Sequence, residues 1–132
     1  MARTGIERVG SDAPWEQGFG YSRTVRAGDL VFVAGTTAID EDGVVRGVGD
    51  AGAQVRDVLD AIEAALALAG ARIDQVVQTR IYVVDISRAD EIGRAHGERF
   101  GASAPVSSMV QVAALIDPRM LVEIEAVAYI GA

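Results

Sequence analysis

Residues 120–130 read MLVEIEAVAYI. Val122, Ile124, Ala126, Ala128 and Ile130 alternate with Leu121, Glu123, Glu125, Val127 and Tyr129, and a period of two predicts a β-strand. The first set makes a wholly apolar face. The second puts two carboxylates on a face that is otherwise apolar. From the residues alone, Glu123 and Glu125 read equally well as polar or ion-paired groups of a covered face and as a desolvated carboxylate that holds a water.

Working back from this strand, Asp117-Pro118-Arg119 reads as a turn and Ser107–Leu115 as a preceding strand that follows Pro105. Further upstream, Val55, Val58, Leu59, Ile62, Ala65, Leu66 and Ala69 recur at three- and four-residue spacing. This predicts a long amphipathic helix between an N-cap at Asp50 and a C-terminal Gly70. Val76–Ile86 reads as a strand. Ser87 is the expected cap of a second helix, with Asp90, Arg94 and Glu98 on its wet face and Ala89, Ile92, Gly93, His96 and Phe100 opposite. Near the start, Tyr21–Arg26 and Leu30–Gly35 read as a hairpin turning at Ala27-Gly28-Asp29. Ser11–Gly20 reads as a loop, and Val44-Val45 as a short strand after the turn at Asp40–Gly43.

The expected order is therefore β-β-(β)-α-β-α-β-β, an α/β (α+β) domain spanning residues 1–132. Two helices cover one face of such a sheet. Yet Leu30, Phe32 and Ala34 are as apolar as Val31 and Val33 on the other side. A face like that is expected to meet copies of itself, so a homo-oligomer follows.

Composition narrows the chemistry. The chain has no Cys, no Lys, one His and a formal net charge of −7. Thiolate chemistry, disulfides and a lysine Schiff base are excluded, and a His-rich metal site cannot be built. The acidic balance disfavours a nucleic-acid surface. No signal-peptide pattern or membrane-length apolar run is present, so a cytoplasmic protein is expected.

Several local motifs have both a functional and a simpler reading. GVGDAG (47–52) fits a dinucleotide fingerprint, but Asp50 would repel a pyrophosphate at the helix start and the preceding strand is too short, so a glycine-rich helix entry is the better reading. His96 reads either as a core histidine with one satisfied nitrogen or as a proton donor at a helix edge. Gly93 and Gly97 beside it suggest close packing or room for a ligand. Arg80 within a strand reads as an ion-pair partner or a carboxylate binder. Ser107 and Ser108 lack a nucleophile-elbow context.

Three stretches together resemble the reactive-intermediate deaminase (YjgF-like) family: GYSRTVRAGDLVFVAGT (20–36), AQVRDVLDAIEAALALAGARIDQVVQTRIYVVDI (53–86) and APVSSMVQVAALIDPRMLVEIEAVA (104–128). The last is the most specific, with its proline, short strand, turn and VEIEA. The resemblance implies a chorismate-mutase-like two-layer fold and a homotrimer whose sheets form a barrel, with ligand clefts between subunits. Archetypal members hydrolyse reactive imines or enamines to ketoacids and ammonia without metal or cofactor. A tyrosine lines the cleft, a glutamate holds the attacking water and an arginine clamps the substrate carboxylate.

Carried onto this chain, the tyrosine corresponds to Tyr21 and the glutamate to Glu123. The arginine position holds Ser107, a cysteine position Met109 and an asparagine position Gly93. The chain thus resembles a divergent branch, marked by RAHGERF (94–100), that lacks the guanidinium clamp. His96 is the expected proton shuttle, and Tyr21, Ser107, Gly93 and Met109 the expected ligand contacts. The expected partner is a small metabolite, with neither nucleic acid nor membrane. Alternatives are a metabolite-binding or chaperone-like trimer without turnover and an endoribonuclease, the latter opposed by the charge.

Overall fold

A computed structural model describes residues 5–11 and 14–131. The chain runs β1 (Ile6–Val9), α1 (Pro14–Phe19), β2 (Thr24–Ala27), β3 (Leu30–Thr36), α2 (Ala51–Leu68), β4 (Val76–Val83), α3 (Ala89–Phe100), β5 (Val106–Gln111) and β6 (Val122–Tyr129). The strands make one mixed sheet in the order β1-β2-β3-β6-β4-β5. All neighbours are antiparallel except β4 and β5, and α3 supplies the crossover that a parallel pair requires.

The α2 periodicity is realised: Val55, Val58, Leu59, Ile62 and Leu66 are all fully buried. They pack on Val31, Val33, Val122, Ile124, Ala126 and Ala128, the apolar faces of β3 and β6. Each buried side chain of this size contributes roughly 1.5–3 kcal/mol. Asp50 caps the helix by accepting from Ala53 N at 3.0 Å, and Glu91 of α3 accepts from Gly52 N at 3.0 Å. Gly70 takes the left-handed conformation that ends it (φ 83°). Two carboxylates thus already satisfy the GVGDAG helix entry, as expected for a structural rather than a phosphate-binding turn.

Gln54 is fully buried in α2 and ties distant backbone together. Its amide donates to Arg119 O at 2.9 Å and Gly47 O at 3.3 Å, and its oxygen accepts from Leu121 N at 2.8 Å. The turn that delivers the chain into β6 is therefore fastened to the helix.

Several expectations need correction. Part of the expected N-terminal loop is the helix α1, which packs Glu16 inward; Asp12 and Ala13 of that stretch lie outside the described residues. The hairpin turns at Gly28-Asp29, and β2 begins at Thr24, so Tyr21 lies before the strand. Val45 forms a single bridge with Ile39 rather than a strand. Ser87 does not cap α3. Asp85 takes both its backbone N–H and its hydroxyl, at 3.0 and 2.6 Å, winding residues 86–88 into a 3-10 turn before the helix. β5 ends at Gln111 because β4, its ladder partner, leaves the sheet after Val83. No described helix is long and apolar enough to cross a membrane.

Candidate functional site

Ladder register determines which predicted site residues can meet. On β6, Val122, Ile124, Ala126 and Ala128 point to the helices, so Glu123 and Glu125 point to the open face of the sheet. Glu123 stands opposite Tyr82 and Glu125 opposite Arg80.

The two glutamates have different surroundings. Glu125 accepts from Tyr82 Oη at 2.6 Å and lies 3.6 Å from Arg80 Nη1, an ion pair made within one chain. That bond and burial push the Tyr82 phenol up. Glu123 has no such partner. Burial, and then repulsion from Glu125, push its carboxyl above the ordinary 4.5, with Arg23 pulling the other way. The carboxylate rests on Gly35, where an added Cβ would sit 2.8 Å from Glu123 Oε2, so only glycine leaves this rotamer its space.

Arg23 was not singled out by sequence reasoning. Its Nη1 donates to Gly35 O at 3.2 Å and Thr36 Oγ1 at 2.9 Å, and its Nε lies 3.7 Å from Glu16 Oε2. The Tyr21 ring lies 5.9 Å below its guanidinium carbon, a cation–π arrangement. Tyr21 and Glu123 thus converge on one partly buried arginine. The signal was present in GYSRT, but nothing in the sequence placed Arg23 beside Gly35.

The remaining predicted residues gather on the other side of the sheet. Ser107 stands opposite Thr79, and Met109 opposite Ile81, on the face that meets the helices. His96 Nε2 lies 2.8 Å from Thr79 Oγ1, and Thr79 donates to Ser107 Oγ at 2.8 Å. Thr79 is fully buried, whereas Ser107 is exposed on the edge strand. Burial pushes the imidazole below the ordinary 6.5. Nothing lies within 4 Å of a Cβ built at Gly93 or Gly97, so these glycines leave room rather than allow close packing.

Glu123 and Tyr21 therefore cannot meet Ser107 and His96 within one chain, because the sheet separates them. Neither Arg80 nor Arg119 is a free guanidinium that could take the place of the missing clamp. Arg80 faces Glu125, and Arg119 forms a two-pronged pair with Asp117 at 3.0 and 2.8 Å, holding that carboxyl down at about 2. The open face carries a concavity of about 370 Å³ whose lining includes Phe32, Gln78, Arg80, Glu125 and Val127. Around it Leu30, Phe32, Val77 and Tyr129 are exposed. Among the described residues, no three His, Cys, Asp or Glu side chains are grouped to hold a metal ion.

The sequence matches the profile described as endoribonuclease L-PSP over residues 12–130. An uncharacterised Streptomyces coelicolor protein, SCO2049, is 40% identical across all of this chain and 98% of its own length. A RutC family protein of Pyrococcus horikoshii, PH0854, is 36% identical over 83% of this chain and 86% of its own. Among solved structures, Rv2704 of Mycobacterium tuberculosis, described as a member of the YjgF/YER057c/UK114 family, superposes with a TM-score of 0.84 at 52% identity, covering 94% of this chain and 98% of its own. The YjgF gene product of E. coli superposes with a TM-score of 0.82 at 27% identity, covering 93% and 98%.

Proposed function

Since the chain belongs to the endoribonuclease L-PSP family, which includes the YjgF and RutC proteins, we propose that it is a cytoplasmic homotrimer that binds a small metabolite between subunits and hydrolyses an imine or enamine there. The chain would act as a single unit over residues 1–132, without metal or cofactor. The observation that carries this reading is Glu123, a half-buried carboxylate with a raised pKa, lying on glycine and without the Tyr–Arg partnership that occupies Glu125. A carboxylate in that state takes a proton from water more readily than an exposed one. In the trimer, the open face bearing Glu123 and Tyr21 would meet the β5 edge of another copy, with its Ser107, His96, Gly93 and Met109.

The substrate class follows from charge. Arg23, Arg80 and Arg119 all face carboxylates of their own chain. To bind any of these three, an acidic substrate would have to displace its pair, and none of them offers a free bidentate clamp. Imines without a carboxylate are therefore favoured. The same pairing, with the net charge of −7, weighs against an RNA surface despite the family's name.

The test is ammonia release from the imine of pyruvate and from an imine of similar size lacking the carboxylate. The expected result is faster turnover of the second. Consumption of neither beyond the rate in buffer would sink the catalytic reading. A ligand-dependent rise in Tm without turnover would then favour the binding-only trimer.

A further inference from the structure

We propose that Thr79 joins His96 to Ser107 in a proton relay, and that Ser107 hands the proton to the nitrogen that departs from the substrate. This inference rests on the imine-hydrolysis reading and assigns the acid that it lacks, Glu123 being the base.

The relay joins three side chains through two contacts. His96 Nε2 and Ser107 Oγ each lie 2.8 Å from the same atom, Thr79 Oγ1. Thr79 is fully buried, so its hydroxyl is committed to these two partners. With Thr79 donating to Ser107, the imidazole Nε2–H donates to Thr79. The ring is held against the buried Phe100, with centroids 4.7 Å apart at 42°. At the far end Ser107 is exposed on the edge strand. The chain therefore runs from a partly enclosed imidazole to a hydroxyl that a ligand can reach.

Each element also suits proton passage. Burial favours the neutral imidazole, the form that carries one donor and one acceptor nitrogen. Both hydroxyls donate and accept at once. As the carbon–nitrogen bond breaks, the Ser107 proton passes to the nitrogen, the Thr79 proton replaces it, and the Nε2 proton replaces that of Thr79. Nδ1 takes a proton from a solvent acid. The imidazole ends as its other tautomer with no change in charge. Solvent protonates the imine nitrogen before the attack; Glu123 takes one proton from the attacking water, passes it to solvent, and then takes the hydroxyl proton as the carbonyl forms, so two protons enter from solvent and two return, and imine plus water gives carbonyl and ammonia.

The single His makes the relay directly observable. In tag-free, nitrogen-labelled protein, long-range nitrogen–proton NMR correlation reports which ring nitrogen carries the proton. Wild type is expected to show the Nε2–H tautomer. Ser107→Ala, which removes the hydroxyl that accepts from Thr79, is expected to free Thr79 to donate to Nε2 and shift the population toward Nδ1–H. Identical nitrogen shifts in wild type and Ser107→Ala would overturn the relay.

The functional arm uses the carboxylate-free imine. Thr79→Val, which keeps volume, is expected to lower kcat by about 100-fold with little change in KM, and Thr79→Ser to restore it. An active wild type with an equally active Thr79→Val would also overturn the relay. A wild type that turns over no imine refutes the hydrolase reading instead and leaves the NMR arm to judge the hydrogen-bonded chain alone.

Discussion

Replacing Glu123 by Gln is expected to lower imine turnover by about 100- to 10,000-fold, because the amide keeps the volume but cannot accept the water's proton. The same change should make the protein more stable at neutral pH. A carboxylate whose pKa is raised on folding binds its proton more readily in the folded chain, so its ionised form penalises folding above the raised value. That penalty fades as pH falls through the raised value to the ordinary 4.5. Thermal melts across pH should therefore show a gain in Tm for Glu123→Gln at neutral pH that shrinks on acidification. Active but destabilised Glu123→Gln protein would mean that Glu123 is a structural acid and that another group holds the water.

Gln54→Leu is expected to destabilise the fold by about 3 kcal/mol, or about 10 °C in Tm. Leucine fills similar space, but takes away the Gln54 partner of Leu121 N–H and of the Arg119 carbonyl, whereas the Gly47 carbonyl keeps Asp50 N–H. The loss falls on the turn that sets β6 in register, the strand that carries Glu123. Chemical denaturation measures it. A change below about 0.5 kcal/mol, the range of ordinary surface substitutions, would show that the turn is held by other contacts.

Elements governed by local periodicity were legible in the sequence. The three- and four-residue spacing of Val55, Val58, Leu59, Ile62 and Leu66, bracketed by Asp50 and Gly70, became α2 with its expected caps. The alternation of residues 121–130 became β6, with the expected faces in and out. Where two polar groups competed, the outcome was not legible: Asp85 took the N–H and hydroxyl of Ser87 and capped a 3-10 turn, and α3 starts after it without a side-chain cap.

For the candidate site, the sequence offers residues but not their arrangement. Glu123 and Glu125 are indistinguishable by period. They are separated by long-range partners, Tyr82 and Arg80 for one and Gly35 for the other. Thr79 lies in QTRIYVV, where nothing local marks it above Gln78. It matters because the parallel register of β4 and β5 sets it opposite Ser107, while α3 brings His96 down on it. The separation of Glu123 from Ser107 by the sheet is likewise a product of register, and is why the proposed cleft needs a second copy.

The most direct measurement is subunit complementation. Glu123→Gln and Ser107→Ala proteins are each expected to be nearly inactive on the carboxylate-free imine. Unfolded together and refolded as equal mixtures, they should recover about one quarter of wild-type activity, since in a cyclic trimer each cleft draws Glu123 from one chain and Ser107 from its neighbour. No recovery in mixtures shown to have exchanged subunits would contradict a site shared between copies.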